Sequence, residues 1–142
     1  MRKTTFTTAV FGAAALVAGA LATMPAASAD TLPDEKQCRK AVKTADDVIK
    51  GWCAAITRRK GNCLACHGVT TKARWPETLP PGGNMGPPLV AMKQRFPDKA
   101  KLRAQIYDAQ SVNPQAVMPP FGKHKIISEE DIDNIVEFLL SI

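Results

Sequence analysis

The chain has 142 residues, 45% hydrophobic, 23% charged and only 6% aromatic, with a formal net charge of +6. That length supports one small domain and excludes two independent cores, which need roughly 100–150 residues each. The balance of apolar and charged residues excludes a disordered tail, and Lys and Arg scattered among acids, without a basic stripe, exclude a nucleic-acid partner.

In chain order, Arg2 and Lys3 form a basic start, Ala9 to Ala22 is an almost unbroken apolar run, and Ala27-Ser28-Ala29 is a small-residue cleavage site. Together they predict a secretory signal peptide over 1–29, removed on export to the periplasm. The run of 14 residues is shorter than the about 20 that a membrane span needs. The expected mature unit is therefore one domain over 30–142, with no membrane attachment after cleavage.

Residues 30–60 read as two helices. Pro33-Asp34-Glu35 opens the first with an acidic turn, and Thr44 as N-cap with Asp47 in the capping-box position opens the second. Ala45, Val48, Ile49, Trp52, Ala55 and Ile56 recur at the spacing of a buried helical face, and Gly61 is the expected stop. Five prolines and three glycines between Trp75 and Pro88 forbid regular structure there. Leu89 to Phe96 and Lys99 to Ala109 read as short helices, the second with Leu102 and Ile106 inward. A second proline stretch, Asn113 to Gly122, precedes a helix capped by Ser128-Glu129-Glu130-Asp131 and striped by Ile132, Ile135, Val136, Leu139 and Leu140. No alternating strand pattern occurs, so the expected class is all-α.

The segment that carries chemistry is Cys63-Leu64-Ala65-Cys66-His67. Two thiols three positions apart can each form a thioether with a haem vinyl group, and the following imidazole lies where it can bind the iron; this is the pattern of c-type haem attachment. A thioredoxin-like dithiol would need a βαβ pattern, which is missing. A structural zinc would need a fourth ligand from Cys38, Cys53 or His124, with Cys66 and His67 awkwardly adjacent. A haem also supplies the large apolar body that a core poor in aromatics lacks. The sixth iron ligand has candidates in Met85, Met92, Met118 and His124. Met118 is favoured, because Pro119 and Pro120 stiffen the backbone beside it, whereas Met92 suits a core gap and His124 a solvated surface. A ligated histidine needs its other ring nitrogen oriented, commonly by a backbone carbonyl, and the expected donor of that carbonyl is Pro88.

The order of segments, from Gly61-Asn62-Cys63-Leu64-Ala65-Cys66-His67 through Gly86-Pro87-Pro88-Leu89, Phe96-Pro97-Asp98-Lys99-Ala100-Lys101-Leu102-Arg103 and Asn113-Pro114 to Met118-Pro119-Pro120-Phe121-Gly122-Lys123-His124, resembles the SoxX family. These are class I cytochromes c that form the monohaem subunit of SoxAX. The resemblance implies a class I cytochrome c fold around one covalent haem c, with Cys63 and Cys66 as attachment residues, His67 as proximal and Met118 as distal iron ligand. It also implies a heterodimer with a SoxA-type subunit carrying the reactive haem. That complex oxidatively joins thiosulfate to a cysteine of the carrier SoxYZ, and the electrons pass to a downstream cytochrome c. On this reading the chain is the electron-transfer subunit and holds no catalytic residue of the thiosulfotransferase.

Cys38 and Cys53 lie outside these motifs. In one straight helix they would stand about 22 Å apart, too far for a disulfide, which needs α-carbons within about 7 Å. A break near Thr44 lets two helices fold back, and an exported chain favours paired thiols, so a Cys38–Cys53 disulfide is expected. Two other functions compete: a free-standing periplasmic electron carrier, and a haem enzyme acting on peroxide or a small gas. The second needs an open iron position, which a Met118 ligand opposes.

Overall fold

The computed structural model describes residues 31–142, and the expected signal segment over 1–29 lies outside the described residues. Asp34 starts helix α1 (Glu35–Ala41) with a reciprocal capping box, its carboxylate accepting from the Gln37 amide while the Gln37 side chain accepts from the Asp34 amide. The bond from the Gln37 amide holds the Asp34 carboxyl below its usual range. Helix α2 (Asp47–Ile56) is capped by Asp46, whose carboxylate accepts from the Ile49 amide at 2.9 Å. The expected cap, Thr44, is instead in the turn that closes on α1, its amide donating to the Ala41 carbonyl at 3.1 Å. Nor does Gly61 end α2: the helix stops at Ile56, and the Gly61 amide reaches back to the Ala54 carbonyl at 3.0 Å.

The turn between α1 and α2 brings Cys38 and Cys53 together as a disulfide, with α-carbons 5.4 Å apart. Both sulfurs belong to buried residues, so the bridge is part of the core rather than a surface clip. A 3₁₀ turn covers Cys63–Ala65, and the proline- and glycine-rich stretch after it is irregular. The expected helix over 89–96 is a single turn, α3 (Met92–Arg95), because Leu89 is drawn into an isolated bridge with Val69. Helix α4 (Lys99–Tyr107) buries Leu102 and Ile106 as expected, and a further short helix, α5 (Ala109–Val112), follows it. Helix α6 (Glu129–Leu140) is capped by the Ser128 hydroxyl. Among the described residues no strand forms beyond two isolated bridges, and no helix is long and apolar enough to cross a membrane.

Helices α2 and α6 make the dominant contact of the fold. At their crossing Gly51 lies so close to Asn134 that a Cβ on Gly51 would stand 1.9 Å from the Asn134 carbonyl oxygen. Beside it Trp52, fully buried, packs against Phe138 with ring centroids 5.3 Å apart and edge-on against Trp75 at 5.4 Å. The Trp52 indole donates to the Pro33 carbonyl at 2.7 Å, which ties the entry to α1 into the core. Phe138 therefore belongs to the buried face of α6 although it falls outside the expected stripe. Arg103 pairs with Asp133 and Glu129, and Lys99 with Glu137, so α4 is charge-matched along α6.

Two outcomes test this account. Gly51→Ala should destabilise the protein by about 3 kcal/mol or more, the upper part of the range for overpacking, because the group it meets is backbone and cannot rotate away; urea unfolding measures it. Replacing Cys38 and Cys53 together by Ser should lower stability by about 3 kcal/mol, the expected effect of opening a loop of this length. Thiol labelling of the unreduced parent should leave both residues unmodified.

Candidate functional site

Residues 63–67 leave α2 through Gly61 and Asn62. A Cβ on Gly61 would lie 3.1 Å from the Cys63 sulfur, and Asn62 takes the left-handed conformation (φ 47°) that turns the chain into the 3₁₀ segment. Asn tolerates that conformation better than most residues. The Cys66 and His67 amides then both donate to the Cys63 carbonyl, at 3.1 and 2.9 Å, which coils the motif into one tight turn. Cys63 and Cys66 are free thiols, distinct from the disulfide pair. Burial pushes the Cys63 thiol up to about 12, so it is neutral in its apolar wall. A thioether, which carries no charge, suits such a wall.

The His67 ring is held from two sides. Its Nδ1 lies 2.7 Å from the Pro87 carbonyl oxygen. A carbonyl only accepts, so Nδ1 carries the proton and Nε2 keeps a lone pair for a metal. Gly86 packs flat on the ring: a Cβ there would be 2.3 Å from Cε1 and 2.6 Å from Nδ1. The orienting carbonyl is thus that of Pro87 and not that of Pro88, as the sequence suggested. Pro88 instead accepts from Arg95 Nη1 at 2.7 Å. Successive carbonyls of an extended chain point to opposite sides, so only one of two neighbouring prolines can face the imidazole. The chain beyond is fixed by the Leu89 amide donating to Gly68 and the Leu89 carbonyl accepting from Thr70.

Cys63, Cys66, His67 and Met118 line a single cavity of about 760 Å³. Met118 reaches it from the second proline stretch, across the cavity wall formed by α4 and α6 residues such as Leu102, Ile106, Ile135 and Phe138. Met92 also lines the cavity but is buried in the core, its sulfur accepting from Arg95 Nη1 at 3.5 Å, whereas His124 is exposed and absent from the cavity. Met85 also borders the cavity, but on the motif side, with its sulfur 3.9 Å from that of Cys66 and most of its side chain in solvent. The lining is mostly apolar, with Arg58 and Arg95 among its few charged members. A flat apolar macrocycle bearing carboxylates at one edge fits that lining: apolar walls for the ring, cations for the acids, two free thiols and an imidazole with a free Nε2. Haem attachment through Cys63 and Cys66 therefore has a receptacle of suitable chemistry. The residues that sequence reasoning missed are Gly86, Pro87 and Arg95. Their only linear signal is the close spacing of Gly82, Gly83 and Gly86 among prolines.

Comparison with known proteins agrees with this reading. The sequence family described as cytochrome C oxidase, cbb3-type, subunit III matches residues 54–139, more than half of the chain. An uncharacterized lipoprotein of Aquifex aeolicus (strain VF5) is 32% identical over 81 residues, which are 57% of this chain and 36% of that protein. The chain thus spans about a third of the length of that curated relative. The crystal structure of SoxXA from P. pantotrophus contains a similar chain, 25% identical with a TM-score of 0.54; the match covers 64% of this chain and 77% of that one.

The contact between Gly86 and His67 generates a test. Gly86→Ala should displace the imidazole or lift the loop, and so lower the yield of haem-loaded protein by roughly tenfold or more, in line with the loss of an outer-shell partner. Gly68→Ala is the control, since a Cβ there meets nothing closer than 3.7 Å. Haem content per protein, read from the absorbance of purified material, decides between them.

Proposed function

The chain belongs to the family described as cytochrome C oxidase, cbb3-type, subunit III, and from that membership together with its likeness to the SoxXA structure we propose that it is the electron-transfer haem subunit of a SoxAX-type complex. Its architecture is the all-α class I cytochrome c fold, and its work is electron transfer by a covalently bound haem c. In the proposed assignment, one haem is attached through Cys63 and Cys66 and its iron is held by His67 and Met118. Bound haem iron supplies a one-electron carrier whose potential a thioether ligand raises relative to a second imidazole.

The chain's own residues bind, orient and exclude. Cys63 and Cys66 fix the macrocycle in the cavity. The Pro87 carbonyl holds the proton on His67 Nδ1 and makes the imidazole a better ligand, while Gly86 lets the loop close against the ring. Met118, as the second iron ligand of this assignment, would take the place that a small exogenous ligand needs, which disfavours peroxide or gas chemistry. The observation that carries the reading is the convergence of the motif and Met118 on one apolar cavity.

The finer function is supported by the likeness to the SoxXA structure and by the order of shared segments. On this proposal a SoxA-type subunit carries the sulfur chemistry, joining thiosulfate to a cysteine of SoxYZ, and this chain relays the electrons to a downstream cytochrome c. Three exposed apolar residues, Met85, Val117 and Ile126, border the same cavity. That placement suits a partner docked over the haem edge, since scattered exposed apolar residues carry no such meaning. We further propose that residues 1–29 are a signal peptide, that 30–142 are the mature domain and that it works in the periplasm.

Gentle purification of the tagged protein from its native periplasm should bring down a larger c-type cytochrome in equal amount, and thiosulfate with added carrier protein should reduce the haem. A lone red protein that thiosulfate and carrier do not reduce would instead make it a free-standing electron carrier. In the same material Met118→Ala should lower the reduction potential and let carbon monoxide or cyanide bind; an unchanged potential and spectrum would remove Met118 as ligand.

A further inference from the structure

Met118 sits in a stretch that does not hold itself. Among the described residues, none from 117 to 121 donates a backbone hydrogen bond, and Pro119 and Pro120 have no amide hydrogen to give. Phe121 anchors its side chain in the core, and the first backbone amides to donate after Met118 do so to the end of α4. The Gly122 and Lys123 amides both donate to the Tyr107 carbonyl, at 3.1 and 3.2 Å. Gly122 lies against the Tyr107 ring so closely that a Cβ would stand 2.0 Å from Cδ2.

The next residue along from that carbonyl adds a charge. Asp108 Oδ2 accepts from Lys123 Nζ at 2.8 Å, with the Asp108 side chain 11% exposed and that of Lys123 57% exposed. The other carboxylate oxygen, Oδ1, is buried and accepts from no described group. Lys123 is the only cation within ion-pair distance of Asp108 among the described residues. A buried carboxylate with one cationic partner resists losing it, because separation leaves an uncompensated charge away from water. The pair is therefore a latch: moving the 118–123 segment away from α4 breaks it, along with both bonds to Tyr107.

We propose that Asp108 is a positioning residue for Met118, holding the proline segment against α4 through Lys123 so that the thioether stays at the iron site. The inference rests on the assignment of Met118 as distal ligand. It separates two otherwise similar acids: Asp108 acts on the ligand loop, whereas Glu137, paired with Lys99, only joins α4 to α6.

The test uses the full haem-loaded protein and reads the rate of cyanide binding to the oxidised form together with the reduction potential. Asp108→Asn should raise the cyanide rate roughly tenfold, the opening expected from losing one charge-assisted hydrogen bond, and lower the potential. Lys123→Met should do the same or more, since it strands the carboxylate, and the double variant should not exceed the larger single effect. Lys99→Met, which removes an ion pair from the same helix without touching the loop, should leave both readouts at the parent value. If Met118→Ala opens the iron while Asp108→Asn and Lys123→Met stay within about twofold of the parent, the latch is wrong and the ligand assignment stands. An equal rise in Lys99→Met overturns it too, because the effect is then general loosening. If Met118→Ala itself changes nothing, the ligand assignment fails and takes the latch with it.

Discussion

The contact of Gly51 with the Asn134 carbonyl sets how closely α2 and α6 approach, and that distance governs the rest. Only a residue without a side chain lets one helix backbone rest on another. Trp52 and Phe138 flank the contact and meet because of it. Trp52 then reaches Pro33 by hydrogen bond and Trp75 edge-on. In this way one crossing anchors the entry to α1 and the loop after the haem motif. The same two helices supply much of the cavity wall, through Ala55, Ile56, Ile135 and Leu139.

Around that frame the irregular segments do the chemical work. The stretch after the motif is irregular not for want of structure but because it must lay backbone on backbone and on an imidazole. Cβ atoms on Gly82 and Gly83 would collide with the carbonyls of His67 and Ala65, and one on Gly86 with the His67 ring. The prolines on either side of them, Pro80 and Pro81 before and Pro87 and Pro88 after, limit the loop's alternatives, so the carbonyl of Pro87 is held in place rather than selected from many conformers. The second proline stretch is tethered differently, by α4: an ion pair and two bonds to one carbonyl hold its far end. The His67 side of the cavity is thus shaped by glycine packing and the Met118 side by a charge and hydrogen bonds.

Much of this was legible in the chain because it is local. Cys63, Cys66 and His67 lie within one turn, so spacing alone states their chemistry. Ser128 and the acids after it mark a helix start because capping involves residues three apart. The expectation for Cys38 and Cys53 needed only the helix break near Thr44. Local reasoning failed where two neighbours had equal claims. Thr44 and Asp46 are both good caps, and the turn onto Ala41 used up the first. Pro87 and Pro88 both offer carbonyls, and only the path of the chain toward Val69 says which one faces the ring.

By itself, then, the sequence determined the helical class, the helix order and the attachment motif, since each depends on residues a few positions apart whose propensities and spacing act before any packing. Only the tertiary structure decided that Met118 and not His124 shares a cavity with the motif, that Pro87 orients His67, and that Asp108 meets Lys123. These are encounters between distant segments, and no linear pattern carries the direction in which a loop's carbonyl or side chain points once two helices have fixed its ends.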